Sequence, residues 1–77
     1  MSEVKQTIME LTAQAFNVAV EELSLETSFK DELAASSLGM VSLIANIEDE
    51  LDVMIPLSEA GKFNTVGDVV AFVEAEM

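Results

Sequence analysis

Between Leu38 and Leu51 the apolar residues fall on more than one side of a helical wheel. Met40, Leu43, Ile44, Ile47 and Leu51 form one broad stripe at three- and four-residue steps, and Leu38, Val41 and Ala45 extend it sideways. What remains polar is narrow: Gly39, Ser42, Asn46 and Asp49. A helix this apolar has to be covered by other elements. The chain has 77 residues to do so, which predicts a single domain over 1–77, near the size where folding buries only about 60% of the unfolded surface. An apolar content of 51% makes an efficient core attainable. With no cysteine in the chain, packing alone must hold it.

The remaining segments are helical too. Val4, Ile8, Leu11 and Ala15 predict a first helix from an N-cap at Ser2 to about Phe16. Pro56 follows the short extended run Val53-Met54-Ile55 and opens a brief helix ending near Gly61. Thr65 with Asp68 three residues on resembles a capping box. The last helix then turns Val66, Val69, Val70 and Val73 inward, with Phe72 beside them, and frays at Met77. Its valines are poor helix formers, so tertiary contacts must hold it. Asn17 to Ser36 is too long for a structureless loop in a small domain. Val18, Val20, Leu23, Leu25, Phe29 and Leu33 predict that it is pinned over the helices, with short turns around 20–23 and 29–33. The expected fold is an all-α four-helix bundle: three longer helices, one short one, and a long loop between the first and second.

Charge narrows the function. Fifteen acids against three lysines, with no arginine, leave a net charge of −12. Nucleic acid requires a basic face and is excluded as a partner; anionic membranes are disfavoured for the same reason. Such a field steers proteins with basic docking patches. No stretch approaches the roughly 18 apolar residues of a membrane span, and Met1-Ser2-Glu3-Val4-Lys5 does not read as a secretory signal. A cytoplasmic location is the expectation. Glu48-Asp49-Glu50 with Asp52 lacks the alternating ligands and central glycine of a calcium loop, so it reads as a solvated helix end and no metal site is expected. Met40 and Met54 read as core or cavity lining.

Ser36 and Ser37 stand where the loop meets the apolar helix. The chain contains no histidine to act as a base, so neither hydroxyl suits nucleophilic catalysis, and no enzymatic activity is expected. Carrying a group is another matter. Helix N-termini leave backbone N–H groups unpaired and favour phosphate. Ser36 suits the N-cap, which leaves Ser37 free to point outward.

Several segments taken in order resemble one family. They are Phe16-Asn17-Val18 before the long loop, Phe29-Lys30-Asp31-Glu32-Leu33, Ser36-Ser37-Leu38, Ile47-Glu48-Asp49-Glu50-Leu51, Ile55-Pro56 and Thr65-Val66-Gly67-Asp68. Collinear at matching spacing over about residues 4 to 73, they resemble the acyl carrier proteins. The resemblance implies covalent 4′-phosphopantetheine on Ser37, the serine that precedes leucine, with Ser36 capping the helix beside the phosphate. It implies an acyl carrier for fatty-acid, lipid or specialised polyketide-type synthesis, a monomer loaded by a phosphopantetheinyl transferase. An acyl-accepting interior is expected along Leu38, Val41, Ile44, Ala45, Ile47 and Phe63. Leu38, Gly39, Val41, Ser42, Ala45, Glu48 and Asp49 are expected to dock acyl-processing enzymes through basic or apolar patches.

The motif departs from the family where Ser36, Gly39 and Ser42 stand in place of acids, and no charged residue occurs from Leu33 to Ile47. Gly39 is expected to leave a shallow spot beside Ser37. The pattern Ser-Leu-Gly-x-Val-x-Leu from Ser37 to Leu43 also resembles D-alanyl carriers, where glycine follows the motif. A peptidyl carrier fits less well, because Ala34-Ala35 replaces the usual pair of glycines. A carrier-like adaptor that works by binding alone, without the arm, is the remaining alternative.

Overall fold

The computed structural model describes residues 3–34 and 36–77, Ser37 through its backbone. Among the described residues four helices follow one another: α1 (Glu3–Phe16), α2 (Ser37–Leu51), α3 (Leu57–Ala60) and α4 (Val66–Glu76), with a 3-10 turn at Val20–Glu22. This is the all-α arrangement expected from the periodicity. The N-cap expected at Ser2 lies outside the described residues.

The longest helices pack on one another with α1 against both α2 and α4. That double contact turns the buried face of α1 away from the expected stripe. Ile8, Met9, Thr12 and Ala13 are buried, whereas Val4 and Leu11 are half-buried and Ala15 is exposed. Thr12 is tolerated inside because its Oγ1 donates to the Ile8 carbonyl at 2.7 Å. From α2 the core takes Leu43, Ile44 and Ile47, and from α4 it takes Val66, Val69, Val70 and Val73. The ring of Phe63 meets Phe72 edge-on, with centroids 5.7 Å apart. α1 gives way to Asn17 and α2 to Asp52, both left-handed with φ 56°, a conformation their short polar side chains accept more readily than most.

α3 and α4 begin differently. Pro56 is the N-cap of α3 and Leu57 its first helical residue, so the proline stands one position before its usual place at the first helical residue. α4 has the full capping box: Thr65 Oγ1 accepts from the Asp68 N–H at 3.3 Å, and Asp68 Oδ2 accepts from the Thr65 N–H at 3.1 Å.

The long loop is fastened rather than free. Leu23, Thr27 and Phe29 are buried in it, and the Ser24 N–H donates to Thr27 Oγ1 at 2.8 Å. Three backbone hydrogen bonds stitch it to the start of α4: Phe29 N–H to the Asn64 carbonyl at 3.0 Å, Val66 N–H to Thr27 at 3.1 Å, and Gly67 N–H to Leu25 at 2.8 Å. Gly67 is required for this approach. A Cβ there would stand 2.7 Å from the Leu25 carbonyl oxygen, closer than a real side chain can come.

Candidate functional site

The stitched loop delivers the chain to the N-terminus of α2. Ser36 is extended (φ −87°, ψ 168°), and its hydroxyl oxygen accepts from the Gly39 N–H at 3.1 Å. Its carbonyl accepts from the Met40 N–H at 3.0 Å. The Ser36 hydroxyl is thus engaged in starting the helix, a bond of the kind worth about 1 kcal/mol. Ser37 follows as the first helical residue; its side chain lies outside the described residues. First-turn N–H groups have no helical carbonyl to reach, and the first turn of α2 contains no acid. Ser36 already engages the Gly39 and Met40 N–H groups, so the first turn offers the phosphodiester of a phosphopantetheine arm its positive helix end, the N–H groups ahead of Gly39 and a turn with no acid of its own.

Beside this turn an open groove of about 660 Å³ runs between α2, α3 and the 29–33 turn. Its apolar lining comes from Phe29, which is 3% exposed, and from half-buried Met40, Ala60 and Phe63. Val41 and Leu57 border it while 45% and 69% exposed. Ser36, Asn64 and Lys30 supply its polar lining.

The structure redistributes the residues expected to border an acyl-accepting interior. Val41 and Phe63 line the groove. Ile44 and Ile47 are buried in the helix core. Leu38, 79% exposed, and Ala45, also exposed, lie on the outer face and border no interior. The apolar stripe of α2 is wider than its neighbours cover. Met54, 82% exposed, is likewise neither core nor lining.

Gly39 also differs from expectation. It is half-buried, and a Cβ placed on it would meet Phe16 Cε1 at 3.2 Å. The shallow spot expected beside Ser37 is therefore filled by an aromatic ring. Phe16 in turn lies against Phe29, with centroids 6.1 Å apart. Of the residues expected to dock enzymes, Leu38, Val41, Ser42, Ala45 and Asp49 are exposed along one side of α2. Glu48 is half-buried, and its Oε2 accepts from the Ile55 N–H at 2.8 Å, so this acid ties the end of α2 to the following strand-like run. No cluster of three or more metal-ligating side chains occurs among the described residues.

Sequence reasoning missed Phe16, Phe29, Lys30, Leu57 and Asn64 as parts of the site. Phe29 and Leu57 could have been suspected, one from its place in an expected turn and the other from following Pro56. No local signal marks Asn64, which reaches the groove only through the bond of its carbonyl to Phe29.

Comparison with known proteins agrees with the geometry. The family described as a phosphopantetheine attachment site matches residues 6–73. An acyl carrier protein of Porphyromonas gingivalis is 36% identical over 77 residues, covering 100% of this chain and 99% of that one. An acyl carrier protein of Exiguobacterium sp. is 39% identical over 70 residues, 91% of this chain and 89% of its relative. The chain belongs to the phosphopantetheine-bearing acyl carrier protein family. Its function is that of an acyl carrier in biosynthesis, on a covalently attached 4′-phosphopantetheine.

Proposed function

We propose that Ser37 Oγ is the attachment point and that the chain works as a monomeric, cytoplasmic carrier with no catalytic activity of its own. A phosphopantetheinyl transferase loads it, and it serves fatty-acid, lipid or specialised polyketide-type synthesis. The observation that carries this reading is the bond from the Gly39 N–H to the Ser36 hydroxyl, which engages one of the two adjacent serines as a cap. When bound, the arm supplies a thiol that holds the acyl group as a thioester. The first turn of α2 supplies N–H groups to the phosphodiester, and the exposed Leu38, Val41, Ser42 and Ala45 offer partner enzymes an uncharged face. The D-alanyl alternative draws on Gly39, and the contact with Phe16 gives that glycine a packing reason instead.

Intact-mass measurement and peptide mapping after incubation with a transferase and coenzyme A test the assignment. The mass gain is expected to vanish in Ser37→Ala and persist in Ser36→Ala. Gain that survives Ser37→Ala and is lost in Ser36→Ala would move the site. No gain in the native protein would favour the adaptor reading.

A further inference from the structure

Glu48 is out of place on α2. Ile44, four residues before it, is buried, and Leu51, three residues after it, is half-buried; both share its side of the helix. A carboxylate set between two apolar side chains loses part of its hydration, a cost that only a good hydrogen bond offsets. Asp49, Glu50 and Asp52 are exposed, whereas Glu48 is half-buried and its Oε2 accepts from the Ile55 N–H at 2.8 Å. Little else holds α3. None of its four residues is buried, and Pro56 contributes no side-chain cap. Among the described residues α2 is the only helix it packs on. The run leading into it leaves α2 through Asp52, at φ 56°. That run is pinned twice at one residue, by the buried side chain of Ile55 and by the Ile55 N–H on Glu48.

We propose that Glu48 is a positioning residue for loading, a role that rests on attachment at Ser37. Through its hydrogen bond, and not through its charge, it sets α3 beside the arm-bearing turn. Leu57, Ala60 and Gly61 there share one open groove with Ser36, Met40 and Val41. Leu57 and Val41 are 69% and 45% exposed, so a transferase that reaches for Ser37 meets both as one apolar face. A half-buried carboxylate that already accepts from a backbone N–H has less to offer a partner's cation. Asp49 and Glu50, both exposed, remain to meet basic patches. Without the bond α3 leaves its place in a fraction of molecules, and the transferase binds only the remainder. KM for the carrier then rises, while kcat holds because the Ser36 cap forms the acceptor turn separately.

Variants of the full chain separate the bond from the charge. Glu48→Gln keeps the reach and an acceptor oxygen but loses the charge. Glu48→Asp keeps the charge and is one methylene too short. Glu48→Ala loses both and controls for the weaker helix propensity of aspartate. Hydrogen exchange of the Ile55 amide is followed with the α1 amides as reference for the rest of the fold. Transferase loading from coenzyme A is followed by intact mass. In the Asp and Ala variants the Ile55 amide is expected to exchange at least about tenfold faster, the loss of a bond to a charged acceptor, and to exceed any change in α1. KM should rise about two- to fivefold at constant kcat. Glu48→Gln should stay within about threefold of the native exchange rate and load like the native protein. Loading that fails in Gln and survives in Asp would show that the transferase reads the charge and would overturn the proposal. A single Ile55 exchange rate, or a single KM, across all four proteins would overturn it as well. A native protein that gains no mass would sink the attachment reading and this proposal with it; normal native loading with the variants equal or in reverse order sinks the proposal alone.

Discussion

Phe16 and Gly39 interlock: the ring at the end of α1 occupies the space that a side chain at position 39 of α2 would need, with an ideal Cβ only 3.2 Å from Cε1. Glycine inside a helix costs about 1 kcal/mol relative to alanine, so this contact is the structural reason for retaining it. The ring continues to Phe29, which lines the groove. One aromatic pair thus links the first turn of α2 to the groove beside it.

The first prediction is a coupling between these two positions. In the native background Gly39→Ala should change stability by less than about 0.5 kcal/mol, because the propensity gain and the forced shift of Phe16 oppose each other. In a Phe16→Leu background the same substitution should stabilise by about 1 kcal/mol. Urea denaturation of the four proteins measures the cycle. A coupling near zero would show that the ring does not restrict position 39.

Ala34 sits at φ 50°, in the left-handed region that a Cβ disfavours. Left-handed backbone costs a non-glycine residue on the order of 1 kcal/mol or more, and glycine's extra unfolded-state freedom returns part of that. Ala34→Gly should therefore stabilise the protein by about 0.5–1 kcal/mol. A lower urea midpoint for the variant would refute this.

Asp68 closes two backbone donors at once, the N–H groups of Asn64 at 2.9 Å and Thr65 at 3.1 Å. Asp68→Ala should cost about 1–2 kcal/mol, and Thr65→Ala about 1 kcal/mol. Because the two belong to one capping box, the double variant should lose less than the sum. Strict additivity would argue against a shared cap.

Charge repulsion is expected to limit stability. The molecule is 28 Å in its longest dimension and carries a net charge of −12, while the Debye length falls from about 30 Å at 0.01 M salt to about 8 Å at 0.15 M. Over that range the melting temperature should rise. A flat profile at neutral pH would remove self-repulsion as a significant term.

Restoring acids to the uncharged stretch tests partner choice. Ser36→Asp keeps an N-cap acceptor for the Gly39 N–H, and Ser42→Glu falls on an exposed position. The double variant should be loaded faster than the native protein by a transferase of fatty-acid type, with a steeper dependence on salt. Gly39→Asp is left out, because its Cβ would press on Phe16. Equal loading rates would mean that the missing acids do not define the partners.

Helix identities, the Thr65–Asp68 cap and the Ser36 cap were legible because each is written in residues close together in the sequence. Leu38 and Ala45 were misplaced because periodicity gives the width of an apolar stripe and not how much of it neighbours cover. α3 has only four residues and shields little of α2. Lys30 and Asn64 could not be read as site residues: the groove forms from the 29–33 turn, α2 and the region after α3, and no local pattern records that meeting. The fastening of the loop was hidden for a similar reason. Backbone groups make those bonds, and Gly67 was their one trace in side-chain identity.

That fastening orders events in the life of the chain. Leu25, Thr27 and Phe29 hold their places through bonds to residues 64–67, so the approach to Ser37 takes its final shape only after nearly the whole polypeptide has been synthesised. A nascent or truncated chain ending before residue 64 lacks the partners of those bonds, so the segment leading into α2 is left without its anchor until the start of α4 has been made.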